Sequence, residues 1–92
     1  MTVKSPDIGP DDPADVPLSD DEFARGRFAL RVRRLRSHLG LDQRGFASRF
    51  GIPLGTPRDW EQGKALPDQA TQSYLTVIER IPDAVAQSLT AA

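Results

Sequence analysis

Two stretches in the centre of the chain decide the fold: LDQRGFASRFGI at residues 41–52 and WEQGK at residues 60–64. Asp42 suits the N-cap of a short helix that runs to about Phe50. The apolar positions expected to face inward on this helix are Phe46, Ala47 and Phe50. Gly51 then supplies a residue that tolerates a positive φ, as a tight turn requires. The pattern predicts a compact corner in which one short helix turns sharply into another.

A second short helix is predicted after this turn, over about residues 54–62, with Trp60 facing inward. Two short helices joined by a glycine-containing turn form a helix-turn-helix, here at about residues 42–63. Pro57 falls inside the second helix, and proline is comfortable only in a first turn. The helix therefore either begins near Thr56 or is kinked at its start.

Helices are also predicted on both sides of this motif. The sequence SDDE at residues 19–22 is a capping-box pattern, and it indicates a helix over about residues 20–39 that Gly40 ends. Two further helices are expected downstream, over about residues 68–80 and 82–89. Because no segment alternates in the manner of a strand, the predicted fold class is all-α, with about five helices.

The charges are segregated along the chain. Residues 1–22 hold seven acidic residues and one basic residue, a net charge of −6, whereas residues 23–92 hold eleven basic and six acidic residues, a net charge of +5. Four of the eight prolines lie in residues 1–18, which we interpret as a disordered acidic arm in front of a helical domain at residues 19–92. The basic part suits a polyanion, and the acidic part suits a basic partner or folds back over the basic face.

The first helix carries an apolar pair on the side opposite its core stripe. The core stripe consists of Phe28, Val32, Leu35 and Leu39. Phe23 and Leu30 form an outward apolar pair if the helix is continuous. The alternative is a break at Gly26 that folds Phe23 over the domain.

Several classes of function are not expected. The chain has no cysteine, which excludes disulfides and thiol catalysis. His38 has no second ligand at metal-binding spacing, and the sequence contains neither a serine with a plausible base partner nor a glycine-rich phosphate loop. No apolar run is long enough to span a membrane. We therefore expect no enzyme activity, no metal, no cofactor and a cytoplasmic location.

The two central stretches resemble the Xre/Cro and lambda-repressor helix-turn-helix motif. The matching features are the Leu-x-Gln start, the apolar–Ala pair, the Gly–apolar corner, the segment WEQGK at residues 60–64 and Pro67 shortly after it. The resemblance implies a lambda-repressor-like DNA-binding domain. The chain departs from the family pattern at Pro57, where leucine is usual.

A narrower resemblance extends from about Leu30 to Leu89. FASRFGIPLGT at residues 46–56, DWEQG at residues 59–63 and YLTVIERIPDAV at residues 74–85 are similar to HigA-type antitoxins. The resemblance implies a homodimer that binds a palindromic operator in its own promoter and neutralises a ribonuclease toxin. The alternatives are a stand-alone phage or plasmid repressor without a toxin, and an interaction module that no longer binds DNA.

Six residues are predicted to contact DNA: Gln43, Arg44, Gly55, Thr56, Arg58 and Lys64. Base contacts come from the N-terminal part of the second helix of such a motif, and arginine can bond guanine O6 and N7 with two donors, which favours Arg58. Gln43 and Arg44 match positions that touch phosphates or flanking bases in the family. The alternative for each is a solvated surface side chain. Glu61 is expected to pair within the domain.

Protein partners are predicted to bind elsewhere. We expect residues 1–30 to bind the toxin, with contacts from Asp20, Phe23, Arg27 and Leu30, because an acidic segment suits a basic RNA-cutting groove. The competing idea is an arm that masks the arginines between Arg25 and Arg36. Part of the apolar surface of the last two helices is expected to form the dimer, through Val77, Val85 and Leu89. The alternative is that these three residues merely close the core.

Overall fold

The computed structural model describes residues 19–90, and within that range it contains five helices and no strand. The helices are α1 (Asp20–Leu39), α2 (Gln43–Arg49), α3 (Thr56–Glu61), α4 (Gln69–Arg80) and α5 (Pro82–Thr90). The predicted all-α class with about five helices is confirmed. The predicted arm, residues 1–18, lies outside the described residues. None of the five helices combines the length and the apolar character that a membrane span needs.

Side-chain caps fix the starts of three helices. In α1 the amide of Glu22 donates to Ser19 Oγ (3.1 Å), and the amide of Ser19 donates to Glu22 Oε1 (2.9 Å), which completes the predicted capping box. These bonds lower the pKa of Glu22 below its usual value. Asp42 caps α2 and Asp68 caps α4. Because α1 continues without a break through Gly26, the alternative of a break there is wrong.

One buried cluster joins all five helices. Its members are Phe28, Val32, Leu35, Phe46, Phe50, Trp60, Leu75, Ile78 and Val85. The ring of Phe28 on α1 meets the ring of Trp60 on α3 edge-on, with the centroids 5.5 Å apart. Such aromatic pairs add about 0.5–1.5 kcal/mol beyond the burial of their surface. This contact sets α3 against α1.

The corner between α2 and α3 is held from two sides. Gly51 has a φ of +65°, and a Cβ added there would lie 3.4 Å from Leu89 Cδ1 on α5. The backbone carbonyl of Phe50 accepts a hydrogen bond from the Tyr74 hydroxyl on α4 (2.6 Å). The turn is therefore packed by α5 and bonded to α4.

Helix α3 is shorter than predicted, because it begins at Thr56 rather than near residue 54. Pro57 is its second residue and is buried. A proline in the first turn gives up an amide that would have no intrahelical partner, so the helix needs no kink. Of the two predicted alternatives, the start near Thr56 is confirmed.

One of the three residues predicted for the dimer surface is not available. Val85 is 8% exposed and belongs to the core cluster, so its assignment to a dimer surface is wrong. Val85 is buried because this face of α5 packs against the core cluster. Helical spacing in the sequence does not show which face of α5 does so. Val77 and Leu89 are 42% and 49% exposed.

An ion pair between α1 and α3 is buried beside the aromatic contact. Arg36 donates from Nε to Glu61 Oε2 (2.7 Å) and from Nη2 to Oε1 (2.8 Å), and the Glu61 side chain is only 3% exposed. The bonds from Arg36 are the main reason that the pKa of Glu61 lies below its usual value. The prediction that Glu61 pairs within the domain is confirmed.

The corner can be tested with two glycine substitutions. Gly51→Ala should lower the free energy of unfolding by about 1–2 kcal/mol, because a Cβ is strained in the left-handed region. The control is Gly26→Ala in the exposed part of α1, which should raise it by about 1 kcal/mol through helix propensity. Urea denaturation measures both. A Gly51→Ala variant as stable as the parent would contradict this account of the corner.

The buried ion pair can be tested through stability and its dependence on pH. Glu61→Gln should lower the free energy of unfolding at pH 7 by about 1.5–3 kcal/mol, because it removes the charged acceptor of two hydrogen bonds from the half-buried Arg36. The control is Glu79→Gln, which breaks the partly exposed pair with Arg31 and should cost about 0–1 kcal/mol.

The pH dependence has a defined sign. A carboxylate whose pKa is lowered by folding stabilises the fold fully when the pH is above its pKa in the unfolded chain, which is about 4.3 for glutamate. This stabilisation is lost as the pH falls through the lower pKa of the folded state. The difference in the free energy of unfolding between the parent and Glu61→Gln should therefore become smaller at acid pH. Equal losses in the two glutamate variants, or a difference that does not change with pH, would contradict a buried charged pair.

Candidate nucleic-acid interface

A shallow surface depression lies where the starts of α2 and α3 meet. It has a volume of about 260 Å³ and is lined by Gln43, Arg44, Leu54, Gly55 and Arg58. Four of the six predicted DNA contacts therefore lie together. Because the four come from two different helices and the turn before α3, the fold, rather than closeness in sequence, brings them together.

The two arginines of the depression are free to meet an anion. Arg44 and Arg58 are exposed, and within residues 19–90 neither forms a salt bridge. Unpaired guanidinium groups provide donors for phosphate oxygens and for the edge of guanine. The depression thus combines positive charge with donors that have no partner in the described part of the chain.

The arginines of α1 are mostly paired, in contrast. Four of the six between Arg25 and Arg36 form ion pairs within the domain: Arg25 with Asp21, Arg31 with Glu79, and Arg33 and Arg36 with Glu61. Arg33 and Arg36 share the single carboxylate of Glu61, and the two arginines of this helix that form no ion pair within residues 19–90 are Arg27 and Arg34.

Gln43 is tied to the buried ion pair. Its Nε2 donates to Glu61 Oε1 (3.3 Å). With the amide oriented in this way, its carbonyl oxygen and its second N–H have no bond within residues 19–90 and are available to a ligand. Glu61 thus connects a predicted DNA-contacting side chain on α2 to α3 and, through Arg36, to α1.

Two predicted contacts do not line the depression. Thr56 is half-buried at the start of α3, where its amide donates to the Pro53 carbonyl (3.0 Å). Lys64 lies beyond the C-terminal end of α3, with its ammonium 3.5 Å from Asp59 Oδ1. Both belong to the same motif, and Lys64 is 60% exposed.

The sequence analysis did not assign Leu54 to the interface. This side chain is 58% exposed and lies at the edge of the depression. An exposed apolar group beside arginines suits the methyl group of thymine. The available signal was its position directly before Gly55, at the start of the predicted second helix.

The predicted partner-binding residues lie on a different surface. Asp20, Phe23, Arg27 and Leu30 are exposed on one side of α1, and the Arg27 guanidinium lies 4.8 Å from the centre of the Phe23 ring. Residues 19–90 contain no cluster of three His, Cys, Asp or Glu side chains arranged to hold a metal ion.

Comparison with known proteins agrees with this geometry. No family model and no curated protein matches the chain. The chain is similar to the crystal structure of an HTH XRE-family like protein from Agrobacterium tumefaciens, with 46% sequence identity and a TM-score of 0.62. The match covers 64% of this chain and 95% of that protein. The chain therefore belongs to the helix-turn-helix XRE family of DNA-binding transcription regulators.

Proposed function

We propose that the chain is a repressor that binds a palindromic operator in its own promoter as a homodimer. The observation that carries the proposal is the depression at the starts of α2 and α3, where Arg44 and Arg58 are unpaired within residues 19–90 and Gln43 is held by Glu61. In this motif the second helix enters the major groove with its N-terminal residues toward the bases. Helix α3 is the second helix here.

Each of the six predicted contacts has a defined role in this proposal. Arg58 reads guanine through O6 and N7. Arg44 and Gln43, at the start of α2, bind the phosphates on either side of the groove, and Lys64 binds a phosphate beyond α3. Gly55 lets the backbone approach the DNA closely, since no described atom lies within 4 Å of where its Cβ would be. Thr56, next to it, offers a hydroxyl from the first turn of α3.

A homodimer follows from the size of the interface. One α3 of six residues reads only a few base pairs. Dimers of this motif bind two half-sites about 34 Å apart, and symmetry in the operator mirrors symmetry in the protein.

The antitoxin role is the second candidate function, and one surface favours it. The first turn of α1 is acidic, and Phe23 beside it is 53% exposed. An RNA-cutting toxin needs a basic groove, which an acidic segment with an apolar anchor can occupy. The proposed contacts are residues 1–30, with Asp20, Phe23, Arg27 and Leu30 on α1. The masking alternative is less favoured, because four of the six arginines on α1 are already paired.

Arg58→Ala should weaken operator binding by about 1–3 kcal/mol and relax the preference at one base position. The matched control is Arg80→Ala, which removes an exposed arginine of α4 that lies outside the depression. Binding is measured by footprinting and titration on the DNA upstream of the chain's own gene, at one fixed salt concentration. Equal affinities for parent and Arg58→Ala would remove Arg58 from the readout, and no binding at moderate salt would refute the repressor function.

Deletion of residues 1–18 tests the antitoxin role. The probe is the small basic ribonuclease that this role requires to be encoded beside the chain's own gene. Neutralisation of that ribonuclease should fall, because the deletion removes four acidic residues, while operator affinity stays level. If neutralisation survives and operator affinity rises, the arm is a brake on DNA binding. If no such ribonuclease gene is present, the chain is a stand-alone repressor.

A further inference from the structure

The outer face of α1 is a stripe that the core does not use. It consists of Asp20, Phe23, Arg27, Leu30 and Arg34. Their spacing of three and four residues keeps them on one side of the helix, and all five are exposed. Phe23 and Leu30 are 53% and 44% exposed, so the stripe presents apolar surface to solvent.

The N-terminal half of this face contains a preformed hole. A cavity of about 240 Å³ is lined by Glu22, Phe23, Gly26, Arg27 and Leu30. The last four of these occupy positions i, i+3, i+4 and i+7, which is the diamond that receives a side chain from a facing helix in a coiled coil. The space above Gly26 is open, with no described atom within 4 Å of where its Cβ would be. The hole therefore fits an apolar side chain from another helix.

The charges of the outer face are antisymmetric about Arg27. Asp20 and Arg34 lie seven residues to either side of it, are exposed, and form no salt bridge within residues 19–90. If two such helices run antiparallel with Arg27 at the centre, Asp20 lies opposite Arg34 of the second copy. Phe23 then lies within one residue of the position opposite Leu30. Each half of the stripe thus complements the other half.

The geometry points to a second copy of this chain as the occupant: the outer faces of two α1 helices pair antiparallel across a two-fold axis at Arg27. Phe23 of each copy packs beside Leu30 of the other, at the edge of its hole. This inference rests on the proposed repressor function, for which it supplies the dimer.

Two further features suit this pairing. A groove of about 550 Å³ between α1 and α4 is lined by Arg31, Arg34 and His38, among others, and the pairing brings the acidic first turn of the second copy beside it. Stacking on the Phe23 ring draws each Arg27 guanidinium toward the N-terminal end of its own helix. The two Arg27 side chains therefore point in opposite directions, which limits their repulsion.

The pairing leaves the DNA-binding surface free. Helix α3 packs on another side of α1, through the contacts of Phe28 with Trp60 and of Arg36 with Glu61. At about 100° per residue, that side is nearly opposite the outer face. The second copy therefore does not cover α3.

The exposed apolar residues of α4 and α5 are a weaker candidate for this interface. Val77, Ile81 and Leu89 are exposed, but Leu89 already packs against Gly51. None of the three depressions described above is lined by Val77, Ile81 or Leu89. A toxin that used Phe23, Arg27 and Leu30 would have to displace the second copy, because both occupy one face.

The experiment measures self-association of the full chain by sedimentation equilibrium. One helical face buries less than the roughly 800 Å² per partner of a standard interface, so we expect a dissociation constant on the order of micromolar. Gly26→Leu fills the hole without removing a contact within the monomer, and should weaken association by about tenfold or more, about 1.4 kcal/mol. The same variant should melt no lower than the parent, because leucine is the better helix former.

A charge swap tests the antiparallel register. Asp20→Arg and Arg34→Asp should each weaken association, and the double variant should restore it, because the swapped charges meet again across the axis. The matched control, Arg80→Asp on α4, should leave association unchanged. If the two substitutions acted only by disturbing the structure of α1, the losses of association in the single variants would add in the double variant rather than cancel.

The outcomes separate this inference from the repressor function. Two results overturn the pairing. In the first, the parent chain stays monomeric at all concentrations. In the second, the parent dimerises, Gly26→Leu leaves the dimer intact, and the double variant does not restore association; this result assigns the interface to α4 and α5. If the parent still binds its operator through Arg58 in either case, the function stands without the pairing. If dimers form by the predicted rules but bind no DNA, the pairing stands and the function fails.

Discussion

The rest of the structure depends on the hydrogen bonds that the carboxylate of Glu61 accepts. This carboxylate lies on α3, receives two hydrogen bonds from Arg36 on α1, and receives one from Gln43 on α2. A buried charge is tolerated only when its partners are in place, so the three helices keep one arrangement or the fold loses stability. Side chains held in this way on helices are better positioned than side chains on a mobile loop. Because Glu61 is the last residue of α3, these bonds hold the end of α3 against the start of α2 and against α1 before any ligand is bound.

The same ion pairs decide where the positive charge is available. The net charge of −1 gives no hint of a polyanion partner, and most arginines of α1 are paired inside the domain. The arginines without an ion pair within residues 19–90 lie at three places: Arg44 and Arg58 at the helix starts, Arg27 and Arg34 on the outer face of α1, and Arg80 at the end of α4. Only the first group lies beside the tethered Gln43. The charge distribution, more than the net charge, therefore distinguishes the surface proposed to bind DNA from the face proposed to pair with a second copy.

Local signals in the sequence predicted most of the fold. Ser19, Asp42 and Asp68 mark helix starts because each side chain caps an amide only two or three residues away. Other features depend on contacts between distant segments. The partner of Glu61 is Arg36, 25 residues earlier, and the burial of Val85 depends on where α5 docks. Four of the six DNA-contacting candidates named from the sequence lie together only because the fold brings the starts of α2 and α3 close, and the same depression includes Leu54, which the sequence did not indicate. The assignments of the DNA-contacting and toxin-contacting residues stay predictions.

The central claim is that the starts of α2 and α3, in a fold that Glu61 holds together, form the surface that reads DNA. Amide chemical shifts of the full chain, followed during titration with DNA from upstream of its own gene, test it most directly. The account predicts that the largest changes occur at Gln43, Arg44, Gly55 and Arg58, and that they vanish as salt is raised. Changes concentrated on the outer face of α1, or none at low salt, would contradict it.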